Sequence, residues 1–411
     1  MSFFRSRWVD KPDHVTELEP DALPKCFCSA GVAAGLKPKG LDLGVLASFD
    51  ETTSAARFTT NARVGAPVIA SKEARLDGLR AVVANSGCSN VGDGERGLET
   101  ARAMQRAVAE ELDLEPDQVG VASTGVIGLE LPRDKVVSGA RAACGALSKG
   151  AGDFSEAILT SDAAAKRACL EVALPSGSSV RLSAQAKGAG MISPRHATMF
   201  CFVQTDAGLE ADTMDLLTGV CVKRSFDRIS VDGQLSTSDT VFAMANGASG
   251  VRIEQQTPDE LALGQALDAL LRQLALDIVH DGEGCARVGR IVVHGADEVV
   301  EPIARSVADS PLVKTALHGA DPNFGRVLQA AGQAFPPGAP FVVDLAIEGR
   351  QLVSAGDAID LGPDELVALE QAMQGDEIEF VLTVPGEGGE TEVFFSDLSE
   401  EYVTYNSSYT S

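Results

Sequence analysis

Five polar, glycine-studded segments interrupt apolar stretches of this chain, and they carry most of the side chains able to do chemistry. The first is Ser123-Thr124-Gly125-Val126-Ile127-Gly128. A strand that stops at Thr-Gly can aim a backbone N–H and a hydroxyl at one point, which is what a developing oxyanion needs; taken alone, a plain glycine turn is the simpler reading. The second runs Lys187-Gly188-Ala189-Gly190-Met191-Ile192 and continues through Pro194-Arg195-His196-Ala197-Thr198-Met199. A lysine at the end of a strand beside glycines can pair with a substrate carboxylate, while by itself it reads as a solvated surface residue. Its spacing matches neither the phosphate-cradling G-x-x-x-x-G-K nor the dinucleotide G-x-G-x-x-G pattern.

The third segment, Ile229-Ser230-Val231-Asp232-Gly233 followed by Ser236-Thr237-Ser238-Asp239-Thr240, clusters hydroxyls with aspartates, a composition typical of turns and caps. The fourth, Asp281-Gly282-Glu283-Gly284, reads as a helix end with its glycine stop. The fifth holds Asp397, Tyr402, Asn406 and Ser411, where a chain terminus is expected to be disordered.

The elements that must position these residues are short. RAVVAN (80–85), VGVAS (119–123), SSVRLSAQAK (178–187) and MFCFVQTD (199–206) read as strands, as do RIVVHG (290–295), FVVDLAIEG (341–349), EIEFVLTV (377–384) and EVFFSDL (392–398). From Cys26 onward SAGVAAG, LGVLASFD and APVIAS also read as strands and turns, after an irregular leading segment of 25 residues. Leu98, Ala101, Gln105, Val108 and Leu112 mark one helix face, and an Ala-rich helix follows near 136–148. Leu263, Leu267, Leu270, Leu274 and Ile278 recur at helical steps and predict a long amphipathic helix over 259–279. Asn323 is placed to cap a helix beginning in GRVLQAAGQAF. Strands and helices alternate throughout, so the class is α/β or α+β with the strand order open.

Composition narrows the function classes. The 411 residues carry 59 Asp and Glu against 34 Lys and Arg, a net charge of −25, which disfavours nucleic acid and anionic membrane surfaces as partners. One Trp and three Tyr leave little for base- or sugar-stacking platforms. Eight scattered cysteines and five histidines show no metal-ligand spacing, since Cys26-x-Cys28 alone lacks a partner pair. Reduced thiols, no secretory signal in MSFFRSRWVDKPDH and no span-length apolar run lead to the expectation of a cytoplasmic soluble protein of two domains or halves.

Taken together and in order, the segments resemble the ornithine acetyltransferase family, the glutamate N-acetyltransferases of the cyclic arginine pathway. The marks are FTTN (58–61), NSG (85–87), STGVIG (123–128), LTSD (159–162), AKGAGMISP (186–194), ATM (197–199), STSDT (236–240), DGEG (281–284), VKTALHGADPNFGR (313–326) and the terminal YVTYNSSYTS. The resemblance implies two stacked β-sheets sandwiched between helices, in a self-processing, N-terminal-nucleophile-like architecture. It implies autocatalytic cleavage between Ala197 and Thr198, giving an α chain (1–197) and a β chain (198–411) that assemble as α2β2 or larger. Thr198 then carries acetyl from N-acetylornithine to glutamate in a ping-pong reaction. By the same resemblance, Thr124 and Gly125 form the oxyanion hole, and Thr160, Lys187, Glu283, Asn406 and Ser411 join Thr198 in binding substrate. No metal or cofactor is implied. Acetyl-CoA enters only as a substrate, if the chain also makes N-acetylglutamate directly.

The sequence departs from the family pattern in places. Ala189 replaces the serine of K-G-S-G, Arg195-His196 stand where Asn-Met is commoner, and Cys285-Ala286-Arg287 replace Ala-Thr-Lys after the glutamate. Gln234-Leu235 replace Asp-Thr after Asp232-Gly233, and Ser161 replaces a threonine. His196 either assists the cut or stands by. Two other readings stay open here: a related amidase or aminopeptidase that passes the acyl group to water, and an uncleaved, non-catalytic relative.

Overall fold

The computed structural model describes residues 2–193, 199–335 and 337–408. Its centre is a pair of stacked sheets. Six strands form one, in the order Val15–Glu17, Lys166–Ala173, Ser179–Lys187, Phe200–Thr205, Thr240–Ala245 and Thr53–Phe58. Four form the other: Phe27–Val32, Leu43–Ser48, Ala81–Asn85 and Val119–Ser123. The inner strands are buried on both faces, so they read as continuous apolar runs rather than as alternating ones.

Alternation still decides which way each side chain points. Phe200, Phe202, Phe242 and Met244 meet Leu46, Val82, Ala84 and Ala122 in the core between the sheets. The intervening Cys201, Val203, Val241 and Ala243 lie on the opposite face, in a core shared with helices Ala211–Arg224 and Pro258–His280. Val45, Ala47, Val83 and Val121 share the core of helices Gly94–Leu112 and Arg133–Gly145. The result is helix, sheet, sheet, helix, the architecture implied by the resemblance. At Gly120 an added Cβ would lie 2.9 Å from the Phe242 ring, so the absent side chain is what lets that ring fill the inter-sheet space.

A third sheet of seven strands runs Ile229–Ser230, Gly388–Ser396, Val288–Ala296, Glu377–Thr383, Asp344–Ile347, Arg350–Ser354 and Asp357–Ala358. It has its own core with helices Asp297–Ala308, Phe324–Ala334 and Pro363–Ala372. Its short first strand pairs Ile229 with Phe394 and leads directly toward Thr240–Ala245 of the six-stranded sheet, so one segment ties the two together.

Most long periodic stretches take the predicted form. The helix expected over 259–279 is Pro258–His280, started by Thr257, whose hydroxyl accepts from the Glu260 amide at 3.3 Å. Asn323 caps its helix through the Arg326 amide at 3.2 Å. The APVIAS stretch, expected as a strand, is instead helix Ala66–Lys72; Pro67 in its first turn suits a helix start, and a short apolar run has no period with which to distinguish the two. Of FVVDLAIEG only Asp344–Ile347 is strand. The leading segment contributes one short strand, Val15–Glu17, and is otherwise irregular. No described helix is long and apolar enough to cross a membrane.

The Phe202 ring meets Phe154 at 5.0 Å and Phe200 at 5.9 Å between centroids, both edge-on. Phe202→Ala should therefore leave a void between the sheets and cost about 3–5 kcal/mol, read as a lowered denaturant midpoint.

Candidate functional site

A cavity of about 220 Å³ opens where strands from both stacked sheets end. Ala81–Asn85 and Val119–Ser123 run parallel with Asn85 opposite Ser123, and the crevice beyond the carboxyl ends of such strands is a natural binding place. The turn beyond them is tightly fixed. Asn85 accepts the Ser123 hydroxyl at 2.6 Å, its carbonyl takes the Thr124 amide at 3.0 Å, and its Nδ2 donates to the Cys88 carbonyl at 3.0 Å. Gly125 sits at φ 124°, and a Cβ there would fall 2.4 Å from the Gly87 carbonyl carbon. Only glycine fits. Thr124 and Gly125 consequently present a hydroxyl and backbone to the cavity from a rigid corner.

Lys187 closes the back of this corner. The sequence alone suggested a solvated lysine; instead it is 1% exposed, at the end of strand Ser179–Lys187 between the two sheets. Its Nζ donates to Thr124 Oγ1 at 2.9 Å and to Thr160 Oγ1 at 3.0 Å. Each hydroxyl therefore acts as acceptor toward the lysine and keeps its own proton for another partner. The ammonium has three donors, so one remains beyond these two. Burial pulls the Lys187 pKa below its ordinary value, while Asp162 and Asp239 act in the opposite direction.

Asp162 supplies the compensating charge. Fully buried, it accepts the Lys166 ammonium at 2.8 Å, the Gly188 amide at 2.6 Å and the Thr160 amide at 3.1 Å. Burial by itself would raise its pKa, but Lys166, Lys187 and these donors outweigh it and hold the carboxyl at about 2. The Asp281 carboxylate also contacts Lys166, which ties the end of the long helix to this network.

Across the cavity stand Glu283 and Asn406. Asn406 Nδ2 donates to Glu283 Oε2 at 2.7 Å. Gly190 is what admits the carboxylate, since a Cβ there would come within 2.5 Å of it. The tail, disordered by the base expectation for a terminus but given a reason for order by the family resemblance, forms helix Glu400–Ser408, whose Tyr402 hydroxyl donates to Asp232 Oδ2 at 3.3 Å. A short terminal stretch has little periodicity of its own, and here its order comes with these contacts to the cavity wall.

Of the residues selected from sequence, Thr124, Gly125, Thr160, Glu283 and Asn406 line one cavity, with Lys187 directly behind two of them. Ala197, Thr198 and Ser411 lie outside the described residues, as do Arg195 and His196. Two groups were underread. Asp162 counted only as part of LTSD, and Asp232 and Asp239 only as turn formers. Burial is what distinguishes them, and no local spacing signals it. Among the departures from the family pattern, Gln234 lines the cavity, whereas Arg287 is engaged by the His318 carbonyl at 2.6 Å. Burial and the nearby Asp397 push the Cys285 thiol up to about 12.

Because folding lowers the Asp162 pKa from its ordinary 3.8 to about 2, its ionised form contributes stability above pH 4 that is lost as pH falls toward 2. Asp162→Asn should remove about 2–3 kcal/mol at pH 7 and flatten the acid limb of the stability curve between about pH 4 and pH 2, measured by denaturant titration.

Comparison with known proteins gives the family of the chain. A family model described as the ArgJ family matches residues 28–411. The arginine biosynthesis bifunctional protein ArgJ of Symbiobacterium thermophilum is 40% identical over 396 residues, covering 94% of this chain and 97% of the relative. The protein of the same name from Nitratidesulfovibrio vulgaris is 39% identical, covering 95% and 100%. Among solved structures, ornithine acetyltransferase from Mycobacterium tuberculosis in complex with ornithine is 32% identical, covering 44% of this chain and 98% of that one, with a TM-score of 0.40. With a family model spanning the cavity residues and relatives matched over nearly their whole length, the chain belongs to the ArgJ family.

Proposed function

We propose that this chain is an acyltransferase of arginine biosynthesis that cuts itself between Ala197 and Thr198 and then moves acetyl from N-acetylornithine to glutamate through Thr198. Family membership supports the reaction class. The observation that carries the assignment of roles is the antiparallel pairing of Ser179–Lys187 with Phe200–Thr205, in which Lys187 faces Phe200. The chain between those strands, residues 188–199, thereby begins and ends beside Thr124, Thr160 and Lys187.

Self-cleavage is an acyl shift. Thr198 Oγ attacks the Ala197 carbonyl carbon, the C–N bond breaks, and the Thr198 nitrogen takes up the hydroxyl proton. Water then hydrolyses the ester, leaving an Ala197 carboxylate and restoring the hydroxyl. The new α-amine has a reference pKa of about 7.7–8.0 and can serve as base for its own Oγ, which the former amide could not. Thr198 next attacks the acetyl carbonyl of N-acetylornithine; the amine leaves with the proton and acetyl-Thr198 remains. The amine of glutamate attacks this ester, the acetyl C–Oγ bond breaks, and Thr198 Oγ takes up the proton the amine gives up, releasing N-acetylglutamate.

The described residues supply what these steps require. The Thr124 hydroxyl, which accepts from Lys187 and so keeps its own proton to donate, and the Gly125 amide stabilise the oxyanion; one such donor is typically worth about 10²–10³ in rate. The remaining Lys187 donor takes the substrate α-carboxylate, with Thr160 beside it. Glu283 and Asn406 hold the cationic end of ornithine; Ser411, outside the described residues, is assigned to the substrate site by the family resemblance alone. The cut divides the chain into a 197-residue α part and a 214-residue β part. These are not separate domains, because Thr53–Phe58 and Ser179–Lys187 of the first flank the strands of the second within one sheet. The assembly is α2β2 and cytoplasmic in this reading, with no cofactor.

Purified protein should run as two fragments of about half length on a denaturing gel and transfer acetyl from N-acetylornithine to glutamate. Thr198→Ala should stay whole and inactive. An intact wild-type chain without transfer would falsify the proposal, and release of free acetate with glutamate present would favour the amidase reading. Acetylglutamate formed from acetyl-CoA and glutamate, without acetylornithine, would reveal direct synthesis as a second activity; its absence would restrict the chain to transfer from acetylornithine.

A further inference from the structure

The segment between strands Ile229–Ser230 and Thr240–Ala245 makes contacts that turn formation does not require. An aspartate turn at Asp232 needs only the bond it makes to the Gln234 amide, at 3.1 Å. Yet the same carboxylate also accepts the amides of Met191 at 2.7 Å and Ile192 at 3.0 Å, and the Val231 and Asp232 amides donate to the Ile192 carbonyl at 2.9 and 3.2 Å. Met191 is held at φ 56°, a left-handed conformation that a non-glycine residue adopts at a cost and only when its surroundings enforce it. Asp232, bonded to its amide, is part of that enforcement.

Seven residues along, the pattern recurs on the other side of residues 194–198. Asp239 Oδ1 accepts the Met199 amide at 3.1 Å, and the Thr240 amide donates to the Met199 carbonyl at 3.2 Å. Asp239 is completely buried, and its Oδ2 has no partner of hydrogen-bonding geometry among the described residues. Burial raises its pKa well above the carboxylate range; the Met199 amide, the Ser236 and Thr59 hydroxyls and Lys187 pull it down without prevailing. A polar group so placed is costly to bury and would not be explained by a turn alone.

We propose that segment 231–240 is a splint for self-processing: Asp232 and Asp239 are positioning residues that fix the chain on either side of Ala197–Thr198. The inference rests on the self-cleavage reading above. Intramolecular attack is fast only when the reacting groups are held near their reactive geometry, and anchoring both flanks reduces the freedom of the chain between them.

The test is a time course of processing in full-length chain made by cell-free translation and sampled on denaturing gels. Asp232→Ala and Asp239→Ala should each slow cleavage by about tenfold or more. Melting temperatures are compared in an uncleavable Thr198→Ala background, where the same changes should shift the midpoint by only about 2–4 °C. Asp239→Asn keeps an acceptor for the Met199 amide and should cleave within about threefold of wild type. Alanine variants that cleave at the wild-type rate, or that slow only in step with lost thermal stability, overturn the splint. An Asp239→Asn variant as slow as Asp239→Ala also overturns it at that residue, because the carboxyl itself would then be required. If wild type cleaves and only these comparisons fail, self-processing stands without the splint; if wild type never cleaves, both fall.

Discussion

A lysine ammonium taken out of water must be repaid by charge and hydrogen bonds, and the site is organised around that constraint at Lys187. Thr124 and Thr160 accept two of its protons, and Asp162 supplies the nearby negative charge. Asp162 is in turn satisfied by Lys166 and by the amides of Gly188 and Thr160. Lys187, Thr124 and the Asp162 side chain are buried and each depends on another, so the end of a strand from each stacked sheet and the loop at 160–162 are locked together. Satisfied networks of this kind specify one arrangement, since a half-satisfied one would be worse than none.

The stacking of the sheets is what brings these ends together. Aromatic side chains of one sheet against small aliphatic ones of the other set the spacing between layers, with Phe200, Phe202 and Phe242 over Ala84 and Ala122. Val119–Ser123 and Ser179–Lys187 belong to different sheets, and their ends meet only because that core fixes the sheets face to face. The third sheet contributes differently. Through Ile229–Ser230 it anchors the segment bearing Asp232 and Asp239, and its last strand, Gly388–Ser396, leads to the helix bearing Tyr402 and Asn406.

Much of this was legible in the linear chain where a physical period or a strict steric demand existed. The leucine spacing over 263–278 leaves no alternative to a helix, and buried strands such as 119–123 show as apolar runs bounded by turns. Thr-Gly at 124–125 signals a special backbone corner, which the φ of Gly125 bears out. The errors fall where no such demand operates. APVIAS is too short to show a period, Lys187 is indistinguishable from a surface lysine, and the terminal helix owes its order to contacts with Asp232 and Glu283.

The sequence by itself determined the family and the mixed α/β class, because ordered motifs and periodicity are local properties of the chain. Its net charge of −25 is likewise a property of the chain alone. Only the tertiary structure decided which polar residues are buried and against what. That distinction turns Lys187 from a solvated charge into the hub of a network and makes Asp162, Asp232 and Asp239 more than turn formers. The reason is physical: the electrostatics of a side chain follow from how much water surrounds it, and that is set by residues far away in sequence.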